Sequence, residues 1–313
     1  MDSSILTVTL NPALDKTVLI DNLKVGGLNR VISSRLDTGG KGINVAKVLN
    51  KFKCDVKAAG LVAGSQGSLL LDYLKEAGIN TLFHQICGET RTNLKIVDQS
   101  TNTTTEINEA GFYVSENDLS LFIEELSKEL CRSAFLILSG SLPPGVNEYI
   151  YFELINIAKS KGIKTILDAD GKALSAGINA LPYAVKPNIH ELRDLTGKKI
   201  ETVKDIVNTA KDYIEKGIEI VIVSMGGDGA VIVDKSTAYF AKPFDIVPKS
   251  TVGAGDSMVA AFAYSQINGF DLLKTAKLIT AAGTVTASKP GTEVCSLDEV
   301  LINSDRIIIE EII

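Results

Sequence analysis

Short apolar runs alternate with longer amphipathic stretches along most of the chain, and that alternation leaves few architectures open. ILTVTL at 5–10, VKAAGLV at 56–62, AFLILSG at 134–140, KTILDAD at 164–170, YAVKPN at 183–188 and IEIVIVS at 218–224 read as strands. Most are followed by helical patterns: INVAKVLNKF, SLLLDYLKEAG, NEYIYFELINIAKSKG and TVKDIVNTAKDYIEKG. In the first of these, Ile43, Ala46, Leu49 and Phe52 recur every third position and form one apolar stripe. Strand-then-helix repetition over this length predicts an α/β fold, with a mainly parallel central sheet covered by helices on both faces. Two stretches break the rhythm. Residues 15–37 and 91–109 read as short β pieces joined by polar or glycine turns. A small antiparallel lid inserted into the α/β core accounts for both, and its open edges and outer face favour association with a second copy.

In an open parallel sheet, sites form beyond the C-terminal ends of the strands. The loop-helix segment STVGAGDSMVAAF at 250–262 has the composition such a site needs. Gly253, Ala254 and Gly255 leave their backbone N–H groups free of bulky side chains, and a helix starting there would seat a phosphate. Asp256 stands beside that seat although a carboxylate repels phosphate. A base that takes a proton from a hydroxyl attacking phosphorus explains it; taken alone, the same four residues also fit a helix N-cap at a tight turn.

Other segments supply partners. TGGKGINVAKVL at 38–49 puts Gly39, Gly40 and Lys41 at the mouth of a helix, with Asn44 just inside it. Bare backbone, a cation and an amide suit a sugar's hydroxyls or phosphate, as they suit a plain glycine turn. The segment is neither GxxxxGK[ST] nor GxGxxG, so P-loop and dinucleotide readings lose support. Asp15, after an Asn-Pro turn, is expected at a strand's C-terminal edge, where it can hold two hydroxyls. Arg91 opens a lid-like strand and can reach a substrate phosphate or form a surface ion pair. In VKPNIHEL, Lys186, Asn188 and Glu191 span the first turn of a helix. Glu191 there suits Mg²⁺ held through water, or a helix cap. VSMGGDGA at 223–230 is a strand running into a glycine turn, either along a nucleotide or as a hairpin.

Composition narrows the function further. A net charge of −6 and 6% aromatics without tryptophan speak against a nucleic-acid surface. No apolar run approaches membrane-spanning length, so no membrane association is expected. Cys54, Cys87, Cys131 and Cys295 lie far apart and read as reduced thiols of a cytoplasmic protein. With His84 and His190 as the only histidines, a multi-histidine metal site is excluded.

GGKGINVAKVL together with STVGAGDSMVAAF resembles the two signature regions of the ribokinase-like (PfkB) carbohydrate kinases, in their sugar-phosphate branch. TLNPALD, SGSLPPG, VKPNIHEL and VSMGGDGA match that branch in order, over nearly the whole chain. The resemblance implies one kinase domain over 1–313, a three-layer αβα sandwich with a β-lid at about 15–37 and 91–109, and a homodimer joined through the lids. It implies ATP and Mg²⁺, with Asp256 as base and Gly253, Ala254 and Gly255 as the anion hole. Asp15, Gly39, Gly40, Lys41, Asn44, Arg91 and Ser141 would hold the sugar phosphate. Lys186, Asn188, Ser224, Gly226, Gly227, Gly229 and Thr251 would contact nucleotide, with Glu191 near the metal through water. GETRTNLKIVD, TTEINEAG and GGKGIN point within the branch to D-fructose 1-phosphate as acceptor, giving fructose 1,6-bisphosphate and ADP. Some relatives that use fructose 6-phosphate carry a lysine before the second lid strand, where this chain has Leu28 with Arg30 close by. Transfer to O1 of tagatose 6-phosphate or fructose 6-phosphate is the alternative, and a sugar-phosphate sensor without turnover a more distant one.

Overall fold

The computed structural model of the protein describes residues 4–312. Chain order begins β1 (Ser4–Thr9), β2 (Ala13–Ile20), β3 (Ser33–Gly39), α1 (Lys41–Lys51), β4 (Val56–Ala63), α2 (Gly64–Glu76), β5 (Asn80–Ile86), β6 (Arg91–Asp98), β7 (Thr103–Ile107). It continues α3 (Glu116–Leu130), β8 (Ser133–Ser139), α4 (Ile150–Ser160), β9 (Lys164–Asp168), α5 (Gly171–Ile178), β10 (Ala184–Val185), α6 (Ile189–Thr196), α7 (Val203–Lys216), β11 (Ile220–Ser224). After a single 3₁₀ turn at Gly226–Asp228 come β12 (Ala230–Val233), β13 (Ala238–Lys242), α8 (Ala254–Ile267), α9 (Leu272–Ala287), α10 (Leu297–Ser304) and β14 (Ile308–Glu311).

Ten strands form the central sheet in the order β14-β13-β12-β11-β10-β9-β8-β1-β4-β5. From β11 across to β5 every pairing is parallel, and β12 to β14 add an antiparallel edge. Strand side chains alternate between two apolar layers, as a period of two requires. Phe135, Ile137, Ile220 and Ile222 face one layer with α1, α2, α8, α9 and α10. Leu136, Leu138, Val221 and Val223 face the other, with α3 to α7. Full burial of such a side chain contributes about 1.5–3 kcal/mol, so both faces at once hold each strand in register. The stripe Ile43, Ala46, Leu49 and Phe52 packs α1 against the first layer. The result is the expected αβα sandwich.

The second sheet has four strands in the order β3-β2-β6-β7. β2 runs parallel to β6 and only the two outer pairings are antiparallel, so the lid is a mixed sheet and not the antiparallel one expected: two hairpins from distant parts of the chain meet side by side. The strand read at 183–188 forms a ladder only at Ala184–Val185, because Pro187 has no N–H to offer the sheet. VSMGGDGA is the hairpin between β11 and β12. All four cysteines are free, and no helix among the described residues is long and apolar enough to cross a membrane.

Candidate active site

From β1 the chain builds outward on one side through β4 and on the other through β8, so the strand order reverses between β1 and β8. Such a switch point opens a crevice beyond the strand ends. A cleft of about 1440 Å³ lies there, lined by Thr9 at the end of β1 and Asn11 after it, Gly140 and Ser141 after β8, Asp168 at the end of β9 and Lys186 after β10. The lid sheet contributes Asp15, Arg91, Asn93 and Lys95 to the same wall.

On the cleft floor, Gly253 takes φ 78° as the residue before α8, a left-handed conformation that glycine adopts without the usual strain. Asp256 is the third residue of α8 and is buried. Its side chain does not cap the helix: the Gly253 position has no side-chain cap, and Asp256 Oδ2 instead accepts a hydrogen bond from Asn44 Nδ2 at 2.8 Å. The capping alternative for this acid is therefore set aside. Burial, and then the nearby Asp168 carboxylate, push the Asp256 pKa up to about 6; Asn44, Lys41 and Lys186 oppose them.

Asp168 is the residue that sequence reasoning missed. Its Oδ1 lies 3.2 Å from Lys41 Nζ and 3.3 Å from Lys186 Nζ, while its buried Oδ2 has no protein partner among the described residues. Burial would raise its pKa, but the two ammonium groups outweigh that and hold it below the usual carboxylate range. Lys41 in turn is held protonated, chiefly by Asp168 and then by Glu191 and Asp256. The available signal was an acid ending the strand KTILD, the same edge position that was expected of Asp15.

Lys186 reaches the Gly253–Gly255 loop: a Cβ added at Gly255 would lie 3.4 Å from its Nζ. Asn188 and Glu191 form a capping box on α6, with Asn188 Oδ1 accepting from the His190 and Glu191 N–H groups and Glu191 Oε2 accepting from the Asn188 N–H. That capping leaves Glu191 Oε1 directed toward Lys41, 3.9 Å away. Ser224, Gly226, Gly227, Gly229 and Thr251 line the cleft together with Gly253 to Gly255.

Asp15 is placed differently from expectation. It is the third residue of β2, in the lid, because the Asn11–Pro12 turn is short and pairing with β3 and β6 resumes at Ala13. Asn93 Nδ2 donates to its Oδ1 at 3.0 Å, and Lys95 Nζ stands 3.8 Å from its Oδ2. Gly39 backs Asp15 and is not part of the cleft lining: a Cβ there would come within 2.7 Å of the carboxylate. Arg91 lines the cleft but donates to the carbonyl oxygens of Asn11 and Glu109, at 3.0 and 3.1 Å.

A carboxylate of raised proton affinity beside bare helix N–H groups suits the removal of a proton from an alcohol next to a phosphate, and fold and site together define a carbohydrate kinase. The chain belongs to the pfkB family: the family described as pfkB family carbohydrate kinase matches residues 9–299. It is 38% identical over 286 residues to a 1-phosphofructokinase of Xanthomonas campestris pv. campestris, covering 90% of each chain. A 1-phosphofructokinase of Bacillus subtilis is 36% identical over 295 residues, 92% of this chain and 95% of that one. Among solved structures, Escherichia coli phosphofructokinase-2 in complex with substrates and products superposes with a TM-score of 0.91 at 30% identity, covering 96% of this chain and 98% of that one.

Proposed function

We propose that the protein transfers the γ-phosphoryl group of ATP to the C6 hydroxyl of D-fructose 1-phosphate, giving fructose 1,6-bisphosphate and ADP. The observation that carries the phosphotransfer reading is Asp256, a buried base with a pKa near 6 at the N-terminus of α8. As O6 attacks phosphorus, Asp256 takes the hydroxyl proton and the bond to the bridging oxygen of ADP breaks. N–H groups of the Gly253–Gly255 loop, with Lys186 beside them, offset the charge on the group in flight. Glu191, through the Oε1 that faces Lys41 and is not used in the cap, would hold Mg²⁺ by way of water, and that ion would supply further charge neutralisation when bound. The glycines of the β11–β12 turn, with Ser224 and Thr251, line the nucleotide side.

The acceptor follows from the relatives named 1-phosphofructokinase and from Leu28, which is exposed before β3 where a lysine occurs in some users of fructose 6-phosphate. A second reading, transfer to O1 of a 6-phosphate, draws on Escherichia coli phosphofructokinase-2 in complex with fructose-6-phosphate, with a TM-score of 0.89 and 27% identity. Exposed Val25, Leu28, Val31 and Ile32 around the β2–β3 connection support pairing of two copies through the lids. An ADP-release assay comparing kcat/KM for fructose 1-phosphate, tagatose 6-phosphate and fructose 6-phosphate tests the reading. Preference for fructose 1-phosphate is expected, and preference for a 6-phosphate transfers the assignment to the second reading.

A further inference from the structure

The cleft is lined by five basic side chains, Lys41, Arg91, Lys95, Lys186 and Lys242. Four have protein partners at close range. Lys41 and Lys186 meet Asp168, Arg91 donates to two carbonyl oxygens, and Lys242 is paired with Glu310. Lys95 differs. Its side chain is only 13% exposed, yet its sole ion pair among the described residues is the 3.8 Å approach to Asp15, too long for a hydrogen bond. An ammonium on a mostly covered side chain that lines the cleft, with three donors that no protein acceptor takes among the described residues, is poised for an anion that the protein does not itself supply.

Its surroundings fit the acceptor end of the cleft. Arg91, Asn93 and Lys95 alternate along β6, so the period of two directs all three to one face, and all three line the cavity. Two other buried polar atoms on that face, Arg91 Nε and Asn93 Oδ1, lack partners among the described residues. Glu106, directly across from Lys95 on β7, is exposed. Lys41, by contrast, is drawn toward Asp168 and Glu191, on the side of the anion loop.

We infer that Lys95 is the lid residue that recognises the acceptor's own phosphate, at the end of the sugar remote from the hydroxyl facing Asp256, and so selects sugar monophosphates over free sugars. Asp15 and Asn93 beside it take sugar hydroxyls. The inference rests on the proposed kinase reading, and its test separates the two. Lys95→Met should raise KM for fructose 1-phosphate, or for whichever monophosphate the wild type prefers, about 10- to 100-fold, the scale of one charge-assisted hydrogen bond. KM for ATP should stay within about twofold and kcat/KM for unphosphorylated fructose should not change, since an unpaired phosphate contact affects neither. Lys95→Arg should recover part of the loss. Unchanged KM for the sugar phosphate, or an equal loss with free fructose, overturns the inference. Calorimetric binding of fructose 1-phosphate needs no turnover. If the wild type binds without phosphorylating and Lys95→Met binds weakly, the kinase reading falls and the Lys95 assignment stands. Equal binding by both proteins overturns the assignment, and a wild type that binds no sugar monophosphate overturns both.

Discussion

The floor and the roof of the cleft are built on opposite physical terms. On the floor, Asp168, Lys186 and Asp256 are 1%, 4% and 7% exposed, and their charges are held by one another and by Asn44. On the roof, β7 is exposed along its whole length and β6 is half-buried almost throughout. A buried, mutually fixed set of charges interacts strongly and needs little reorganisation as charge develops, which suits the bond-making step. An exposed-backed sheet with unmatched donors on its inner face suits recognition of a ligand that comes and goes. Substitutions on the floor should therefore act on kcat, and those on the roof on KM.

The largest effect should come from Asp256→Asn, with kcat falling about 1,000-fold or more and nucleotide binding retained. Near-normal turnover would remove the contrast between floor and roof. The same variant carries a stability signature. The Asp256 pKa is raised from 3.8 to about 6 by folding, so its contribution is present at low pH and lost as pH rises through about 6. Asp256→Asn should thus be more stable than wild type at pH 8, by about 1–3 kcal/mol, with the gain shrinking toward pH 4. Thermal unfolding at the two pH values checks the sign.

A smaller effect is expected from Asp168→Asn, with kcat/KM falling about 10- to 100-fold as Lys41 and Lys186 lose their common anchor. Wild-type activity should rise with pH through about 6 as the base ionises. Removing the like charge of Asp168 lowers the Asp256 pKa, so the acid limb of the profile should move to lower pH in the variant. A limb that stays or moves upward breaks the electrostatic account of the floor. The smallest effect belongs to the outer roof: Val31→Asp should leave folding stability within about 0.5 kcal/mol and weaken association of two copies. Sedimentation reads that change, and an unaltered mass at matched concentration would detach dimerisation from the exposed lid face.

Much of the fold is legible in the sequence, and particular residues show why. Phe135, Leu136, Ile137 and Leu138 announce a strand buried on both faces, and Ile43, Ala46, Leu49 and Phe52 announce a helix with one buried stripe. The lid strands were legible because short β pieces joined by polar or glycine turns, without intervening helical patterns, have few other solutions; the parallel pairing of β2 with β6 was not, because it joins segments about 80 residues apart. Asp15 was misplaced because a strand edge and the third residue of a new strand that starts directly after a proline look alike in one dimension. Asn188 and Glu191 carry both a capping and a ligand reading, and the geometry satisfies the cap and turns the other Glu191 oxygen toward Lys41.

The local patterns, and the glycine loop that ends in Asp256, were fixed by the sequence itself, since each is encoded in a window of a few residues. The tertiary structure alone decided which distant groups meet. Asn44 reaches Asp256 across 212 positions, and Lys41 reaches Asp168 across 127. It also decided the proton affinity of Asp256 and the isolation of Lys95, because desolvation and Coulomb energy depend on distances in space that no short pattern records.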